Sequence, residues 1–425
     1  MIVAPIAAGR EASLRALLAT MNAAPGVVDP GNGVIPFGRF ERLHFARLLV
    51  LDQTGMADLA LYGVKPARLG LRLVFMGDCD GPALDLLAEM AATAGEGLRR
   101  LFAHCEGFDD RAELFDWMHL HSLPVQTNYV NRLGRTVRQV REEMALQRAL
   151  SARVPREPVA GVGEALRLHR ELRVFAEGQV RSGQLSLTPP QATPLGWRLR
   201  NLLHALGIPL AALVLSPLLL VALPWLAWRL HRLESTDQEH CPPPSPEHLL
   251  ALRELEDHGL TNQFSAVGPV KPGWFRLGLV RVLLLVIDYG CRHVFNRGHL
   301  ARVQTIHFAR WVVMDGGARV LFASNYDGSH EAYMDDFINK VAWGLNLIFS
   351  NGVGWPKTRW LVARGARREG CFKRYQRAHQ VPSQVWYDAY PDVTLHDMER
   401  NRRIRAGLEK ADLHADKALA WLTLL

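Results

Sequence analysis

One stretch of the chain stands out by its hydrophobicity. Residues 207–228, GIPLAALVLSPLLLVALPWLAW, hold no charged side chain over 22 positions, which is long enough to cross the hydrocarbon core of a bilayer as a helix. Arginines flank the stretch and tryptophans lie at its edges, as at a membrane interface: Arg198, Arg200, Trp197, Trp225, Trp228, Arg229 and Arg232. Three prolines interrupt it: Pro209, Pro217 and Pro224. The pattern predicts a membrane segment over 198–232, either a single kinked span or a helical hairpin.

The hydrophobic pattern on one side of this segment repeats on the other side. HFARLLVLD at 44–52 corresponds to HFARWVVMD at 307–315, and LVFMGDCDG at 73–81 corresponds to VLFASNYDG at 320–328. HSLPVQTNYVN at 121–131 corresponds in turn to HQVPSQVWYDA at 379–389. Three matches in the same order, with small changes of offset, indicate an internal duplication.

Each copy predicts the order β-α-β-β-α-β, which is the ferredoxin-like unit. An antiparallel sheet with helices on one face needs a cover on its other face, and the second copy can supply it. The predicted fold is therefore α+β, with two ferredoxin-like units packed as a pseudo-dimeric barrel. If both units lie on one side of a bilayer, the segment between them must return to that side, which favours the hairpin.

These patterns divide the chain into a first repeat (1–131), a helical linker (132–197), the membrane segment (198–232), a second linker (233–261), a second repeat (262–391) and C-terminal helices (392–425). One helix of the second repeat, WFRLGLVRVLLLVIDYG at 274–290, is unusually apolar. Two readings of it stay open: it lies against the same membrane, or it packs on its own sheet.

Composition narrows the class of partner. The 425 residues include 50 Lys and Arg against 42 Asp and Glu, and 48% are hydrophobic, which excludes a disordered chain. The cations are scattered and the strands lack the paired aromatic residues of RNA-binding sheets, so we expect no nucleic-acid partner. The first copy contains several residues of metal-ligating types: Cys79, His104, Cys105, Glu106, His119 and His121. No pair of them has the spacing of a zinc site, and the second copy keeps only His379, the equivalent of His121. We therefore predict no metal there.

Two motifs carry a resemblance. The duplicated architecture resembles the dimeric α+β barrel superfamily, which includes dye-decolourising peroxidases and chlorite dismutases, and Gly77-Asp78-Cys79-Asp80-Gly81 resembles the GxxDG signature of those peroxidases. The HFAR and DG repeats also look like those of an uncharacterised, membrane-associated bacterial family. The peroxidase resemblance implies haem as cofactor and an aspartate that helps to cleave peroxide.

The residues that this chemistry would use occur mostly in both copies. His307 or His44 would bind the haem iron, with Arg47 beside the cofactor, while Arg310, Asp80, Asp327 and Asn325 would be catalytic. The structural alternatives are a histidine bonded to a neighbour, an arginine that bridges the sheet to Asp80 or Asp327, and an aspartate that caps a helix. Retention in both copies favours the structural roles.

Two functions follow. The first is a membrane-associated, haem-dependent peroxidase or oxygenase that acts on a lipophilic substrate. The second is a non-catalytic, membrane-anchored protein that binds a lipid or a partner. For both we predict membrane lipid as a partner and an inner-membrane location, with the folded domains on the cytoplasmic side.

Overall fold

The computed structural model describes residues 1–155, 161–410 and 413–425. The chain forms two compact units. The first contains Met1–Leu133 and Thr193–Asp388, and the second contains Gly134–Ala192 and Ala389–Leu425. The first unit therefore holds both predicted repeats, while the predicted linker and C-terminal helices belong to the second.

The first repeat follows the predicted order, with an added hairpin and added helices. In chain order it contains β1 (Ile2–Pro5), α1 (Glu11–Ala19), β2 (Asn22–Ala24), β3 (Val27–Val28), β4 (Leu43–Leu51), β5 (Arg72–Cys79), α2 (Ala83–Thr93), α3 (Gly95–Phe102), α4 (Leu114–Leu120) and β6 (Thr127–Val130).

Four helices then lead to the second repeat. They are α5 (Val137–Ser151), α6 (Val162–Arg181), α7 (Leu195–Thr236) and α8 (Pro246–Arg253). The second repeat contains β7 (Thr261–Pro269), α9 (Trp274–His293), β8 (Ile306–Met314), β9 (Arg319–Asp327), α10 (His330–Phe349), β10 (Thr358–Arg359), β11 (Ala363–Arg364), α11 (Glu369–His379) and β12 (Val385–Asp388). The chain ends with α12 (Leu395–Leu408) and α13 (Ala415–Leu422).

The larger sheets are antiparallel and four-stranded, which confirms the α+β class. Their strand orders are β1-β5-β4-β12 and β6-β8-β9-β7. Each sheet thus takes its fourth strand from the other repeat, which the repeat pattern does not predict. β12 lies beside β4 with Tyr387 opposite Ala46, and β6 lies beside β8 with Tyr129 opposite Ala309. The prediction of two self-contained ferredoxin-like units is wrong in this respect, because the last strand of each repeat completes the sheet of the other.

Apolar side chains from both sheets form one core between them. This cluster takes Leu49 and Val74 from the first sheet and Val312 and Leu321 from the second, all of them buried. On the other face of the second sheet, residues of α9, α10 and α11 complete a larger core around Phe322. Burial of this apolar surface is the main force that holds the two repeats together.

The predicted hairpin at 198–232 does not form. One helix, α7, runs without a break for 42 residues and contains all three prolines. These lie eight and seven residues apart, close to two helical turns, so they share one side of the helix. α7 runs antiparallel to α9: the Tyr289 hydroxyl donates to the Ala205 carbonyl (3.2 Å), and Trp225 stacks on Trp274 (6.1 Å between ring centroids).

The C-terminal end of α7 is fixed to the second repeat by buried polar contacts. Asp237 accepts from Lys271 at 2.7 Å and from Arg276 at 2.8 Å, and all three side chains are buried. Glu234 accepts from the Thr358 hydroxyl at 2.9 Å. Breaking a buried ion pair costs about 3–5 kcal/mol, so this end of the helix is firmly anchored.

The second unit is helical. α5 and α6 lie where amphipathic helices are predicted within 132–197, and they share a core with the C-terminal helices that includes Leu146, Leu172, Ile404 and Trp421. Thr394 and Asp397 form a capping box that starts α12. Residues 156–160 of the predicted linker and residues 411–412 of the C-terminal region lie outside the described part of the chain.

Candidate functional site

The two arginines of the HFAR strands cross from their own sheet to the opposite one. Arg310 donates to the Gly77 carbonyl at 3.0 Å and pairs with the Asp78 carboxylate. Arg47 donates to the Ser324 carbonyl at 3.0 Å and to the Asn325 side-chain oxygen. Gly77 and Asp78 align with Ser324 and Asn325 in the repeat, so the two contacts are equivalent.

Asp78 and Asn325 meet where these contacts converge. The Asn325 amide donates to the second carboxylate oxygen of Asp78 at 2.8 Å. Arg47 also donates to the Phe264 carbonyl at 2.8 Å and to the Ser265 hydroxyl at 2.9 Å. We call Arg47, Arg310, Asp78 and Asn325 the central polar cluster. Its side chains hold the two sheets together by charge-assisted hydrogen bonds.

The central polar cluster holds two guanidinium groups and one carboxylate. Burial lowers the pKa of Arg47 to about 9, with the nearby Arg310 acting in the same direction and Asp78 opposing it. Arg47 therefore stays charged at neutral pH, where its neutral acceptors in the second repeat solvate it in place of water. The arginines thus bind Asp78 and Asn325. The sequence had suggested, as the structural role of these arginines, a contact with Asp80 or Asp327 instead.

The two histidines bind the aspartates of the DG turns. His44 Nε2 lies 3.0 Å from Asp80, and His307 Nε2 lies 2.6 Å from Asp327. Because a carboxylate accepts, each Nε2 carries a proton and donates it. The glycines that follow, Gly81 and Gly328, have φ values of +77° and +90°, which only glycine adopts at little cost. Asp80 and Asp327 therefore orient a histidine at a tight turn, and α10 takes its N-cap from Ser329 instead.

Histidine and phenylalanine rings of the two HFAR motifs also meet. Phe45 packs against His307 and Phe308 packs against His44, each with ring centroids 5.2 Å apart. Five of the seven residues predicted from the sequence thus contact the other repeat, whereas Asp80 and Asp327 bind the histidine of their own repeat. Tyr326, which is particular to the second repeat, is buried and stacks on Tyr333 at 3.9 Å.

Haem does not fit between the residues predicted to hold it, because their side chains are already packed against one another. An iron ligand must offer a nitrogen lone pair, and since the Nε2 of His44 and of His307 donates to a carboxylate, Nδ1 is the nitrogen that could bind iron. Both rings are buried and each packs against a phenylalanine of the other repeat, while Arg47 donates to four acceptors of the second repeat. A haem group would have to displace this packing to reach either ring.

A second group of residues lies between the second sheet and its helices. A small cleft of about 30 Å³ is lined mainly by apolar side chains that include Val280, Phe322 and Phe349. His379, Tyr375 and Gln376 of α11 line it as well. The His379 ring stacks on Tyr375 at 4.0 Å, and its Nδ1 lies 2.9 Å from the Tyr375 carbonyl.

One further group carries metal-ligating atoms. Glu239, Cys241 and Cys371 place a carboxylate oxygen and two sulfurs within 4.8 Å of one another. Burial and the neighbouring Cys371 raise the pKa of the Cys241 thiol to about 12, so a metal would have to displace that proton. Sequence reasoning missed this group because 130 residues separate the two cysteines.

The sequence nevertheless held signals for Asp78 and for the pair formed by Tyr375 and His379, none of which was predicted as a site residue. Asp78 aligns with Asn325, so one repeat has a carboxylate at the position where the other has an amide. The spacing of Tyr375 and His379 repeats that of Trp117 and His121, where the ring stack (3.9 Å) and the bond from Nδ1 to a carbonyl (2.8 Å) are the same.

Comparison of the chain with protein-family models, with curated proteins and with solved structures finds no match.

Proposed function

We propose that this protein is a membrane-associated binding protein that lies on one face of the bilayer and holds a lipophilic molecule. The observation that carries the proposal is the surface of α7. In the described part of the chain it is the one helix long and apolar enough to cross a membrane, and none of its most apolar window is buried. An exposed apolar surface of this size marks a membrane or protein interaction site.

The packing of α7 favours association in the plane of the membrane. α7 lies along α9, and α9 in turn contributes Val280 and Leu284 to the core under the second sheet. If α7 crossed the bilayer upright, the attached sheet would enter the hydrocarbon. At about 63 Å, α7 is also far longer than the roughly 30 Å hydrocarbon core. We therefore favour a helix whose outer side sinks into one leaflet.

Neighbouring side chains extend the same apolar surface. Trp274, Val282 and Val286 of α9 are each more than half exposed. Arginines stand at both ends of the apolar segment, as suits an anionic, cytoplasmic leaflet. The sequence left two alternatives for residues 274–290, contact with the membrane or packing on their own sheet. In this proposal both apply, because α9 packs on its sheet with one side and faces the membrane with the other. It also keeps both ends of α7 on the cytoplasmic side.

In this proposal the two repeats act as a pseudo-dimeric barrel, and the central polar cluster is its joint. The reciprocal strand exchange and the equivalent contacts of Arg47 and Arg310 support this role. A reaction centre would need side chains that remain available to bind a substrate. Here each arginine is hydrogen-bonded to the opposite repeat, and each histidine is hydrogen-bonded to the aspartate of its own turn. No observation favours the haem-dependent peroxidase over the binding function, and it stays a prediction.

The membrane association can be tested by flotation with vesicles that contain phosphatidylglycerol. Leu213→Glu with Val221→Glu places two charges on exposed positions of α7, and we expect the variant to remain in the unbound fraction. Leu120→Glu is the matched control, because Leu120 is 79% exposed but lies on α4 of the first repeat and not on α7, so this variant should float as the parent does. Equal flotation of all three proteins would refute the proposed surface.

The in-plane orientation has its own test. Arg200→Cys and Arg232→Cys place thiols at opposite ends of the apolar segment, and each is compared with the parent protein to subtract its native cysteines. A membrane-impermeant thiol reagent should label both positions from the same side of sealed vesicles. Labelling from opposite sides would establish a single span instead.

A further inference from the structure

Three metal-ligating side chains meet where the segment after α7 passes the start of α11. Glu239 and Cys241 lie between α7 and α8, in a stretch that is neither helix nor strand, and Cys371 lies in the first turn of α11. A carboxylate oxygen of Glu239 and the two sulfurs lie within 4.8 Å of one another, and the thiols share a hydrogen bond. His240 turns instead towards Asp58, at 3.8 Å. The segment thus directs alternate side chains to α11, as a locally extended chain does.

The backbone holds these ligands in place. Before them, Asp237 is fixed by the two buried ion pairs that anchor the end of α7. After them, the prolines at 242–244 restrict the chain, because each ring fixes φ. On the other side, Phe372 is fully buried and seats the start of α11 in the core of the second repeat. Ligands that are ordered in advance lose less entropy when a cation binds, which favours a stable site.

The donor set favours Zn²⁺. Thiolate sulfur binds zinc well, whereas Mg²⁺ and Ca²⁺ take oxygen ligands. Tetrahedral zinc with Zn–S bonds of about 2.3 Å places two sulfurs about 3.8 Å apart. The present spacing of at most 4.8 Å therefore has to contract by no more than about 1 Å, which rotation of the three side chains can supply.

The surrounding charges balance such a site. Two thiolates and a carboxylate carry three negative charges, of which Zn²⁺ neutralises two. Arg368 pairs with Glu239, and Arg374 lies near Cys241, where it opposes the burial that raises the pKa of this thiol. A carboxylate accepts through two oxygens, so Glu239 can bind Arg368 and the metal together. The two arginines thus offset the charge that remains.

The group is open to solvent and has room for a further ligand. Glu239 is exposed and both cysteines are half-buried, so a cation can reach them from solvent. In the described part of the chain no further histidine, cysteine or carboxylate joins these three ligands. Zinc sites with three protein ligands keep a fourth position for water.

We propose that Glu239, Cys241 and Cys371 bind one Zn²⁺, with water as the fourth ligand. The metal ties the segment after α7 to α11 and so reinforces the anchor that Asp237 provides. The site uses no residue of the proposed membrane surface and does not depend on the proposed function.

The first test uses Co²⁺ as the probe, because it takes the place of zinc and becomes coloured when thiolates bind it. The reduced, full-length protein is titrated with Co²⁺ in the absence of oxygen. We expect thiolate-to-cobalt charge-transfer absorption that saturates near one equivalent and disappears when Zn²⁺ is added. Because both thiols must lose a proton, zinc binding at pH 7 should release about two protons, measured with a pH indicator. The absence of charge-transfer absorption would overturn the site.

Variants assign the metal to these residues. Cys371→Ser removes one sulfur and should weaken Zn²⁺ binding by at least about 100-fold, since even the outer partners of a metal ligand are worth about 10–100-fold. Glu239→Gln keeps the size of the side chain and should weaken binding by at least about tenfold. Cys79→Ser is the matched control, because Cys79 is a half-buried cysteine of the first repeat, and this variant should bind as the parent does. Equal affinity of Cys371→Ser and the parent would refute the site.

Two further measurements separate the metal site from simpler explanations. EDTA should lower the thermal midpoint of the zinc-loaded parent but not that of Cys371→Ser, because a ligand that binds only the folded state stabilises it. If Cys371→Ser does not fold, Cys241→Ser, which lies outside any helix or strand, replaces it. Thiol counting before reduction detects a disulfide between Cys241 and Cys371. A protein that forms this disulfide and binds no Co²⁺ after its reduction would overturn the proposal.

Discussion

The two repeats share some side-chain contacts at equivalent positions and differ in others. Arg47 and Arg310 make equivalent contacts, and so do the two His–Asp pairs, whereas the small cleft lined by α11 belongs to the second repeat. Residues that a duplication keeps twice serve the joint between the copies. Differences between the copies are therefore the better guide to function, and substitutions at matched positions can test this.

The largest difference is expected at Asp78. Its carboxylate pairs with Arg310, whereas Asn325 at the equivalent position is neutral. Asp78→Ala leaves a buried guanidinium without a counterion and should lower the free energy of unfolding by about 3–5 kcal/mol in chemical denaturation. Asp85→Ala removes the exposed partner of Arg42 and should cost less than about 1 kcal/mol. Equal effects would mean that the central polar cluster does not hold the sheets together.

Gly97 and Gly344 occupy equivalent helix positions in different surroundings. A methyl group at Gly97 would meet the Val34 backbone carbonyl oxygen at 1.9 Å, whereas one at Gly344 has no neighbour within 4 Å. We expect Gly97→Ala to destabilise the protein by roughly 1–3 kcal/mol or more, because α3 must move away. The shift in thermal midpoint measures this, and a midpoint equal to that of the parent would contradict the close approach.

Acid should act mainly on the second repeat. His330, which aligns with Ala83, is buried without a hydrogen-bond partner on its ring among the described residues, and burial together with Arg377 and Lys373 lowers its pKa to about 3. The unfolded chain binds a proton near pH 6.5 and the folded one does not, so stability falls as the pH drops from about 6.5 towards 3. At pH 5 this amounts to roughly 2 kcal/mol.

His330→Ala should remove that pH dependence. The measurement is the slope of the free energy of unfolding against pH between 7 and 5. Removal of the ring also changes the stability by an amount that does not depend on pH, and the slope is not affected by it. His169 is a buried histidine whose Nε2 bonds to the Gly407 carbonyl, so His169→Ala provides a comparison. If His330→Ala retains the full slope, other groups cause the acid sensitivity.

The smallest effect is expected at Gly344, and its sign is opposite. Gly344 lies inside α10 with open space around it, so Gly344→Ala should stabilise the protein by about 0.5–1 kcal/mol through helix propensity. Denaturation beside the Gly97→Ala variant would give opposite signs at aligned positions. A destabilised Gly344→Ala protein would show that the repeats are more alike there than their contacts indicate.

The sequence predicted what is local or repeated. The HFAR strands, the turns after Asp80 and Asp327, and the helices within 132–197 follow from short patterns. Strand exchange could not be predicted, because hydrophobic alternation marks β12 as a strand but does not say whether β4 or β8 will be its neighbour. The hairpin was favoured because both repeats were placed on one side of a bilayer, but that requirement does not specify a reversal within the segment. The prolines do not specify one either, since they lower the stability of a helix without turning the chain back.

The candidate site divides in the same way. The sequence identified His44, Arg47, His307 and Arg310 through their repetition, but their partners depend on packing between two sheets. Asp78 contacts Arg310 across 232 positions of the chain. His379 was noticed only as the repeat equivalent of His121, since its Nε2 is left unpaired among the described residues by burial and by the proton position, which no sequence pattern records.

The reciprocal exchange of β6 and β12 also sets the order of events during synthesis. β4 emerges early from the ribosome, but its neighbour β12 is made more than 300 residues later, after α7. Until then the first sheet has an open edge, and the apolar helix is already available to a membrane. If α7 binds a membrane as proposed, the first repeat reaches that membrane before its sheet is complete, and the sheets close afterwards. Neither half, expressed alone, can reach the fold that it has in the whole chain.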